Sequence, residues 1–140
     1  MNIDELFQAG QLKKIAPSKD RAKKSITTAK RYLSEAKQTL AIGISDLTII
    51  AAYGSVFHAA RAILFVDGIS ERSHFAIYEY LKEKHKKFGD ELINTFDMYR
   101  KLRHSVAYGI DTKVNKEDAD ALIEFAEEFV EKTIEYLKLK

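Results

Sequence analysis

The chain has 140 residues, enough for one domain, and its 46% apolar and 31% charged residues suit a hydrophobic core with a polar surface. It contains no cysteine, which excludes disulfides, thiolate metal sites and cysteine nucleophiles. The formal net charge is +2, but basic residues dominate from Lys13 to Lys37 and acidic residues from Lys116 to Lys140. The basic segment either attracts phosphate groups or is a solvated helix face that complements the acidic segment; we favour the second interpretation.

The N-terminus and the most apolar segment indicate where in the cell the protein is expected. The first ten residues, MNIDELFQAG, carry acids and no apolar run, so they do not resemble a signal peptide. The most apolar stretch, Leu47 to Val66, is interrupted by Tyr53, His58 and Arg61, which favours a core helix over a membrane span. We therefore expect a cytoplasmic protein that contacts no membrane.

The N-terminal part of the chain predicts two helices. A short helix is expected near Ile3–Gln8, followed by a break from Gly10 to Pro17. Ser18 fits the N-cap of a long helix, which Gly43 ends and whose apolar residues recur every three or four positions. These apolar residues are Ala22, Ile26, Ala29, Leu33, Ala36 and Leu40. The chain thus divides into an N-terminal helix with a connector, residues 1–17, and a helical bundle, residues 18–140.

Three further main helices are predicted. Ser45 is the expected N-cap of the first, which is apolar around most of its circumference and should be the most buried. A loop, GISERS, leads to Ser73, which can cap a shorter helix. Another helix is predicted from Asp90 to about Tyr108, and the last follows Asn115 as its cap. Because no segment alternates with period two, the predicted fold is all-α, an up-and-down bundle of four main helices with additional short helices.

Three segments stand out by their order along the chain. They are AAYGSVFHAARAILFVDGI at residues 51–69, the Ser73-His74 step, and YRKLRHSVAYG at residues 99–109. Together they resemble the HEPN domain family, in particular its small stand-alone archaeal and bacterial branch, and the acidic last helix is similar to the closing helix of that family. The resemblance covers about residues 18–137. It implies a helical bundle that forms a homodimer through the face carrying an arginine motif.

The resemblance also implies a chemistry. Many members are metal-independent ribonucleases with an R-x4-6-H motif, and many are encoded beside a minimal nucleotidyltransferase that acts as antitoxin. In that motif the arginine stabilises charge on the phosphate and the histidine moves protons for attack by the 2′-hydroxyl. Here Arg103 and Tyr108 match the family pattern, but Tyr108 stands where the histidine is expected, and no histidine occupies the window after Arg100. The sequence therefore leans against enzymatic activity.

His104 provides an alternative. It follows Arg100 by four residues, so Arg100, His104 and Tyr108 form a stripe on one helix face, with Arg103 on its flank. A histidine beside arginines can still transfer protons at neutral pH. These four residues, together with Arg61, are the predicted phosphate-binding site or dimer groove, and Arg103 and His104 are the catalytic candidates. The competing interpretation is a polar dimer seam in which the arginines pair with carboxylates of the other subunit.

The remaining histidines have structural interpretations. His58 and Arg61 lie three residues apart on the most apolar helix, which predicts either a satisfied polar pair or, for Arg61, the edge of an anion pocket near the arginine helix. His74 opens a helix and is interpreted as a cap or hinge contact, and His85, within KEKHKK, as solvated. We expect no metal site and no cofactor.

Three functions follow, in this order. The first is a homodimeric HEPN module of a toxin–antitoxin pair that binds a nucleotidyltransferase partner, and a nucleotide or RNA, with Tyr108 as the candidate for modification by AMP. The second is a metal-independent ribonuclease toxin with a degenerate motif, using Arg100, Arg103 and His104. The third is a nucleotide- or RNA-binding module that uses the basic helix Lys19–Lys37 without chemistry.

Overall fold

The computed structural model describes residues 2–139; Met1 and Lys140, the outer ends of the two predicted regions, lie outside them. This part of the chain forms six α-helices, a short 3-10 helix and two strands. In chain order these are α1 (Ile3–Gln8), β1 (Leu12–Lys14), α2 (Lys19–Ala41), α3 (Ser45–Asp67), β2 (Ile69–Glu71), α4 (His74–Lys84), the 3-10 helix Lys86–Phe88, α5 (Asp90–Tyr108) and α6 (Lys116–Leu137).

Helices α2, α3, α5 and α6 run up and down in one bundle. The turn at Gly43 reverses the chain between α2 and α3. At the base of the bundle, His85, which precedes α5, bonds Asp67 at the end of α3 and Tyr136 near the end of α6. Near the top, Arg103 of α5 lies beside the first half of α3. Helix α5 is therefore antiparallel to α3, and the predicted all-α, up-and-down fold is confirmed.

Helix α3 is the central element. It packs against α2, α5 and α6, and its buried side chains lie on most sides of its axis. By length and composition alone α3 is apolar enough to cross a membrane, but 56% of its most apolar window is buried inside the bundle. The core helices of soluble proteins pass the same test, and α3 packs as such a helix, as its composition predicts.

Side-chain caps set most helix starts. Ser18, Ser73 and Asn115 each accept a hydrogen bond from the backbone N–H three residues on, so the predicted caps of α2, α4 and α6 are confirmed. The prediction for α3 is wrong by one residue. Ser45 is already helical, and the N-cap is Ile44, whose side chain cannot accept a hydrogen bond. The backbone N–H groups of Gly43 and Ile44 donate to carbonyls at the end of α2, and the first helical bond of α3 runs from the N–H of Thr48 to the carbonyl of Ile44.

A two-stranded antiparallel sheet was not expected from the sequence. β1 lies in the predicted connector and β2 in the predicted loop, with Leu12 opposite Glu71 and Lys14 opposite Ile69. Each strand has three residues, too few to display a period-two pattern. The sheet attaches the N-terminal segment to the bundle between α3 and α4.

Candidate functional site

Arg103 lies at a cleft between α2, α3, the start of α4 and α5. The cleft has a volume of ≈ 220 Å³. Its walls are mostly aromatic and carry two histidines. The lining residues are Tyr32, Ile50, Tyr53, Gly54, Phe57, His58, His74 and Arg103. We call it the Arg103 cleft.

Arg103 and Arg100 differ in their partners. Arg100 donates from Nε to Asp97 at 2.6 Å, and its guanidinium lies 5.4 Å from the ring centroid of Phe75. Within residues 2–139, no carboxylate forms an ion pair with Arg103, whose guanidinium lies 5.9 Å from the ring centroid of Tyr108. Of these two cations Arg103 is therefore the one available to an incoming anion.

His74 is held rigidly in the cleft. Its Nδ1 lies 2.9 Å from the hydroxyl of Tyr53, and its ring stacks on Phe57 with centroids 4.1 Å apart. Burial, followed by the positive charges of Arg103, Arg100 and Arg61, lowers the pKa of His74 to about 4. Burial also raises the pKa of Tyr53 far above its ordinary value. At neutral pH both side chains are uncharged, so the charge at this end of the cleft is that of arginine alone.

His58 connects the Arg103 cleft to a second cleft. Its ring stacks on Tyr32 with centroids 5.2 Å apart, and burial, then Arg61 and Arg31, lowers its pKa to about 4. The second cleft, also ≈ 220 Å³, is more basic. It is lined by Arg21, Lys24, Ser25, Thr28, His58, Arg61 and Phe65. The two clefts together run along the groove between α2 and α3.

The guanidinium of Arg61 has a hydrogen-bond partner, but that partner is not His58. Its Nε donates to Glu71 of β2 at 3.0 Å, and its guanidinium lies over the rings of Phe57 and Phe65. The sequence predicted that Arg61 would have a polar partner, but it did not predict that this partner is a carboxylate. Arg61 lines the second cleft rather than the Arg103 cleft, and the two arginines lie on either side of His58.

Comparison with known proteins places this chain in a family. Residues 22–137 match the HEPN domain. The chain belongs to the HEPN family. It is also similar to a UPF0332 protein of Archaeoglobus fulgidus: the two are 29% identical over 113 residues, which cover 76% of this chain and 87% of the relative. The matched HEPN region begins inside α2, so α1 and β1 precede it.

Two of the three residues of the predicted stripe in this HEPN domain, His104 and Tyr108, face solvent. His104 and Tyr108 are exposed, with ring centroids 5.0 Å apart, and Tyr108 is 68% exposed. Arg100 is bound to Asp97. Of the predicted residues, the structure thus brings Arg103 into the cleft and leaves His104 and Tyr108 on its outer side.

His85 contradicts its interpretation as a solvated residue. Its Nε2 lies 2.6 Å from a carboxylate oxygen of Asp67, and its Nδ1 lies 2.7 Å from the hydroxyl of Tyr136. Tyr80 donates to the same oxygen of Asp67 at 2.7 Å. This base network joins α3, α4 and α6, so burial within packed helices, rather than the flanking lysines, sets the environment of His85.

Sequence reasoning missed Tyr53, Phe57 and His74 as cleft residues. The FHAAR segment and the Ser73-His74 step contributed to the family resemblance, but neither indicates a contact with Arg103. That contact requires the packing of α3, α4 and α5. In the described part of the chain, no group of three or more histidine, aspartate or glutamate side chains is placed to hold a metal ion. The cleft offers one free guanidinium, neutral imidazoles and aromatic walls, which suit a phosphate attached to a planar base.

Proposed function

We propose that this HEPN domain acts as a homodimeric module of a toxin–antitoxin pair that binds a nucleotide or RNA segment and works with a nucleotidyltransferase partner. The observation that carries the proposal is Arg103, a cation without a carboxylate partner among residues 2–139, beside neutral His74 in an aromatic cleft. Family membership supports it as well.

The Arg103 cleft has the chemistry to hold one nucleotide. A guanidinium binds phosphate oxygens with two parallel hydrogen bonds. The rings of Tyr32 and Phe57 offer aromatic surface to a base. In the adjoining cleft, Arg21 and Lys24 can hold a neighbouring phosphate of an RNA chain.

Ligand binding tests this part of the proposal. Replacing Arg103 by glutamine should weaken binding of a fluorescently labelled RNA oligonucleotide about tenfold or more, because a charge-assisted hydrogen bond pair is lost. Lys101→Gln is the matched control, since Lys101 lies on the same helix and is 71% exposed. Fluorescence anisotropy measures both affinities. Equal affinity of the Arg103→Gln and Lys101→Gln variants would contradict the proposal.

Exposed apolar side chains support a partner surface at the top of the bundle. The large exposed ones among residues 2–139 are Ile42, Ile44, Leu47, Met98, Tyr108 and Ile110. Ile42, Ile44 and Leu47 flank the turn between α2 and α3, and Tyr108 and Ile110 lie at the end of α5, which reaches the same end of the bundle. Light scattering of the purified chain should give the mass of a dimer. A monomer at all accessible concentrations would contradict the homodimer.

Tyr108 is the proposed site of modification. Its hydroxyl oxygen would attack the α-phosphorus of ATP held by the partner, forming a tyrosine–AMP ester while pyrophosphate leaves and the hydroxyl proton passes to solvent. Exposure makes Tyr108 accessible, and the adjacent guanidinium of Arg103 favours an incoming phosphate. The attached AMP would bring negative charge beside Arg103, and would therefore compete with the ligand of the cleft.

Mass spectrometry tests the modification. Co-expression with a minimal nucleotidyltransferase, the proposed class of partner, should add the mass of one AMP group per subunit. Tyr108→Phe should abolish the addition, whereas Tyr78→Phe, which alters another partly exposed tyrosine on α4, should not. Unmodified wild-type protein, or modification that persists in Tyr108→Phe, would exclude this role of Tyr108.

A ribonuclease is the second candidate, and His74 is the observation that favours it. A neutral imidazole and a free guanidinium share one cleft, which is the pairing that attack by a 2′-hydroxyl requires. A pKa of about 4 makes His74 a weak base at neutral pH, so we rank this function second. RNA degradation in EDTA should be lost in His74→Gln if the cleft performs the chemistry, and in His104→Gln if the exposed histidine does. Intact RNA with the wild-type protein would exclude the ribonuclease.

A further inference from the structure

A larger cavity lies at the base of the molecule, between α1, the two-stranded sheet and α4. Its volume is ≈ 650 Å³, within the range of small-molecule sites. Its lining residues are Ile3, Asp4, Phe7, Gln8, Lys14, Ile69, Tyr80 and Lys84, so it shares no residue with the Arg103 cleft. We call it the basal cavity.

One wall of the basal cavity lies outside the region that matches the HEPN domain. That region begins at residue 22, whereas α1 and β1 supply Ile3, Phe7 and Lys14. The wall is firmly attached, because Leu6 of α1 is fully buried and Asn2 and Glu5 form a capping box. The cavity therefore lies where the N-terminal segment packs against the HEPN bundle. It is not a depression in the surface of the bundle alone.

The cavity combines an apolar floor with a basic rim. Ile3 and Ile69 are buried, and Phe7 packs against the core beside them. Lys14 and Lys84 are exposed at the rim, and across residues 2–139 neither is within ion-pair distance of a carboxylate. Asp4 is the single acidic side chain in the lining. The rim thus carries a net positive charge, and the floor beneath it is apolar.

The polar groups of the floor are already bonded. The hydroxyl of Tyr80 donates to Asp67 at 2.7 Å, so Tyr80 contributes aromatic surface and does not demand a polar ligand group. A ligand therefore meets hydrocarbon inside the cavity, and at its mouth two ammonium groups beside the carboxylate of Asp4 and the amide of Gln8. This arrangement matches a molecule with an apolar body and one anionic end.

We propose that the basal cavity binds a small amphipathic carboxylate. The hydrocarbon chain lies against Ile3, Phe7 and Ile69, and the carboxylate lies between Lys14 and Lys84. The basal cavity and the Arg103 cleft share no residue, so failure of nucleotide binding in the cleft would leave this proposal standing.

Titration with octanoate, followed by NMR of the ¹⁵N-labelled full-length protein, tests the site. Chemical shift changes should concentrate in α1, β1, β2 and α4. Octanoate should bind about fifteenfold more tightly than hexanoate, because it has two more methylenes and each buried methylene contributes about fourfold in affinity. Octylamine, with the same chain and a cationic end, should bind more weakly than octanoate by about tenfold or more.

A pair of double variants isolates the charge. Lys14→Gln with Lys84→Gln should lower octanoate affinity about tenfold or more, whereas Lys19→Gln with Lys23→Gln, which removes the same charge from exposed positions on α2, should not. All four substitutions are at exposed positions and leave the core intact. The proposal would be overturned by shifts elsewhere in the protein, by no binding at millimolar octanoate, by equal binding of octylamine, or by unchanged affinity in the Lys14/Lys84 double variant.

Discussion

Gly68 is required for two separate reasons. It ends α3 with a φ of 77°, in the left-handed region that side chains disfavour. In addition, a Cβ at this position would lie 2.6 Å from the carbonyl oxygen of Ile15 and 2.8 Å from Cγ of Pro17. The sequence predicted a helix end here. It did not predict the close approach, because the segment before α2 passes Gly68 only in the folded chain.

Two glycine variants separate these reasons. Gly68→Ala should lower the free energy of unfolding by about 2–4 kcal/mol, since it adds a steric clash to the backbone cost. Gly43→Ala should cost about 1–2 kcal/mol, the backbone term alone, because Gly43 also has a positive φ of 80° but a Cβ added there would meet no atom within 4 Å. Urea unfolding measures both. Equal losses would contradict the steric argument.

The sequence identified single candidate residues on α5, but it did not show which residues of other helices share a cleft with them. Arg103 is predicted from the motif, and in the structure it lines the cleft. His104 has the motif's chemistry but projects to the exposed side of α5, whereas His74, distant in sequence, enters the cleft. Helical spacing relates residues within α5, and it carries no information on which residues of α3 and α4 pack against them.

Helices α1 and α6 both begin with a reciprocal capping box, and the one at α6 is formed by Asn115 and Asp118. Asn115 accepts from the backbone N–H of Asp118 at 2.9 Å, and the Asp118 carboxylate accepts from the backbone N–H of Asn115 at 3.0 Å. Serine and asparagine caps are visible in a sequence, which explains why the starts of α2, α4 and α6 were predicted. The start of α3 and the short sheet depend on backbone hydrogen bonds, which leave no side-chain signature.

Asn115→Ala should therefore lower the free energy of unfolding by about 1 kcal/mol, because the backbone N–H of Asp118 loses its side-chain acceptor and the capping box is broken. Asn115→Ser keeps an acceptor at the cap and should cost only a few tenths of a kcal/mol. Chemical denaturation of the two variants gives the difference. If serine and alanine were equally destabilising, the cap would not be the cause.

For the whole molecule, the distribution of charge matters less to stability than the sequence suggests. The charge pattern favours complementarity between the basic α2 and the acidic α6, but within residues 2–139 one ion pair joins these helices, Lys37 to Glu127 at 3.4 Å. Both side chains are about half exposed, so the pair contributes roughly 0–1 kcal/mol. Most of the basic face of α2 has no acidic partner on α6, which leaves it available to phosphate.

Acid should destabilise the protein through the two histidines that line the Arg103 cleft, His58 and His74. The pKa of His58 and of His74 is about 4 in the folded chain, against about 6.5 when unfolded. Above pH ~6.5 neither state binds these protons, and below it the unfolded chain binds them first. Stability should therefore fall between pH ~6.5 and ~4, by about 1–2 kcal/mol per histidine once solvent screening is allowed for.

Unfolding in urea at several pH values measures this dependence. His74→Gln should flatten the curve by about half, because one of the two histidines no longer titrates. His104→Gln, which alters an exposed histidine outside the cleft, should leave the slope as it is. A slope that His74→Gln does not change would show that other groups govern the acid response.

The two ends of the bundle should differ in mobility because of the base network. This network consists of Tyr80, Asp67, His85 and Tyr136. It fastens three helices at one end, whereas the far end consists of the α2–α3 turn and the 109–115 loop. Amide hydrogens should consequently exchange fastest around this loop and slowest in α3 near Asp67. The end of α5 that carries Tyr108 should therefore lose its amide protection before the end of α3 that the network holds.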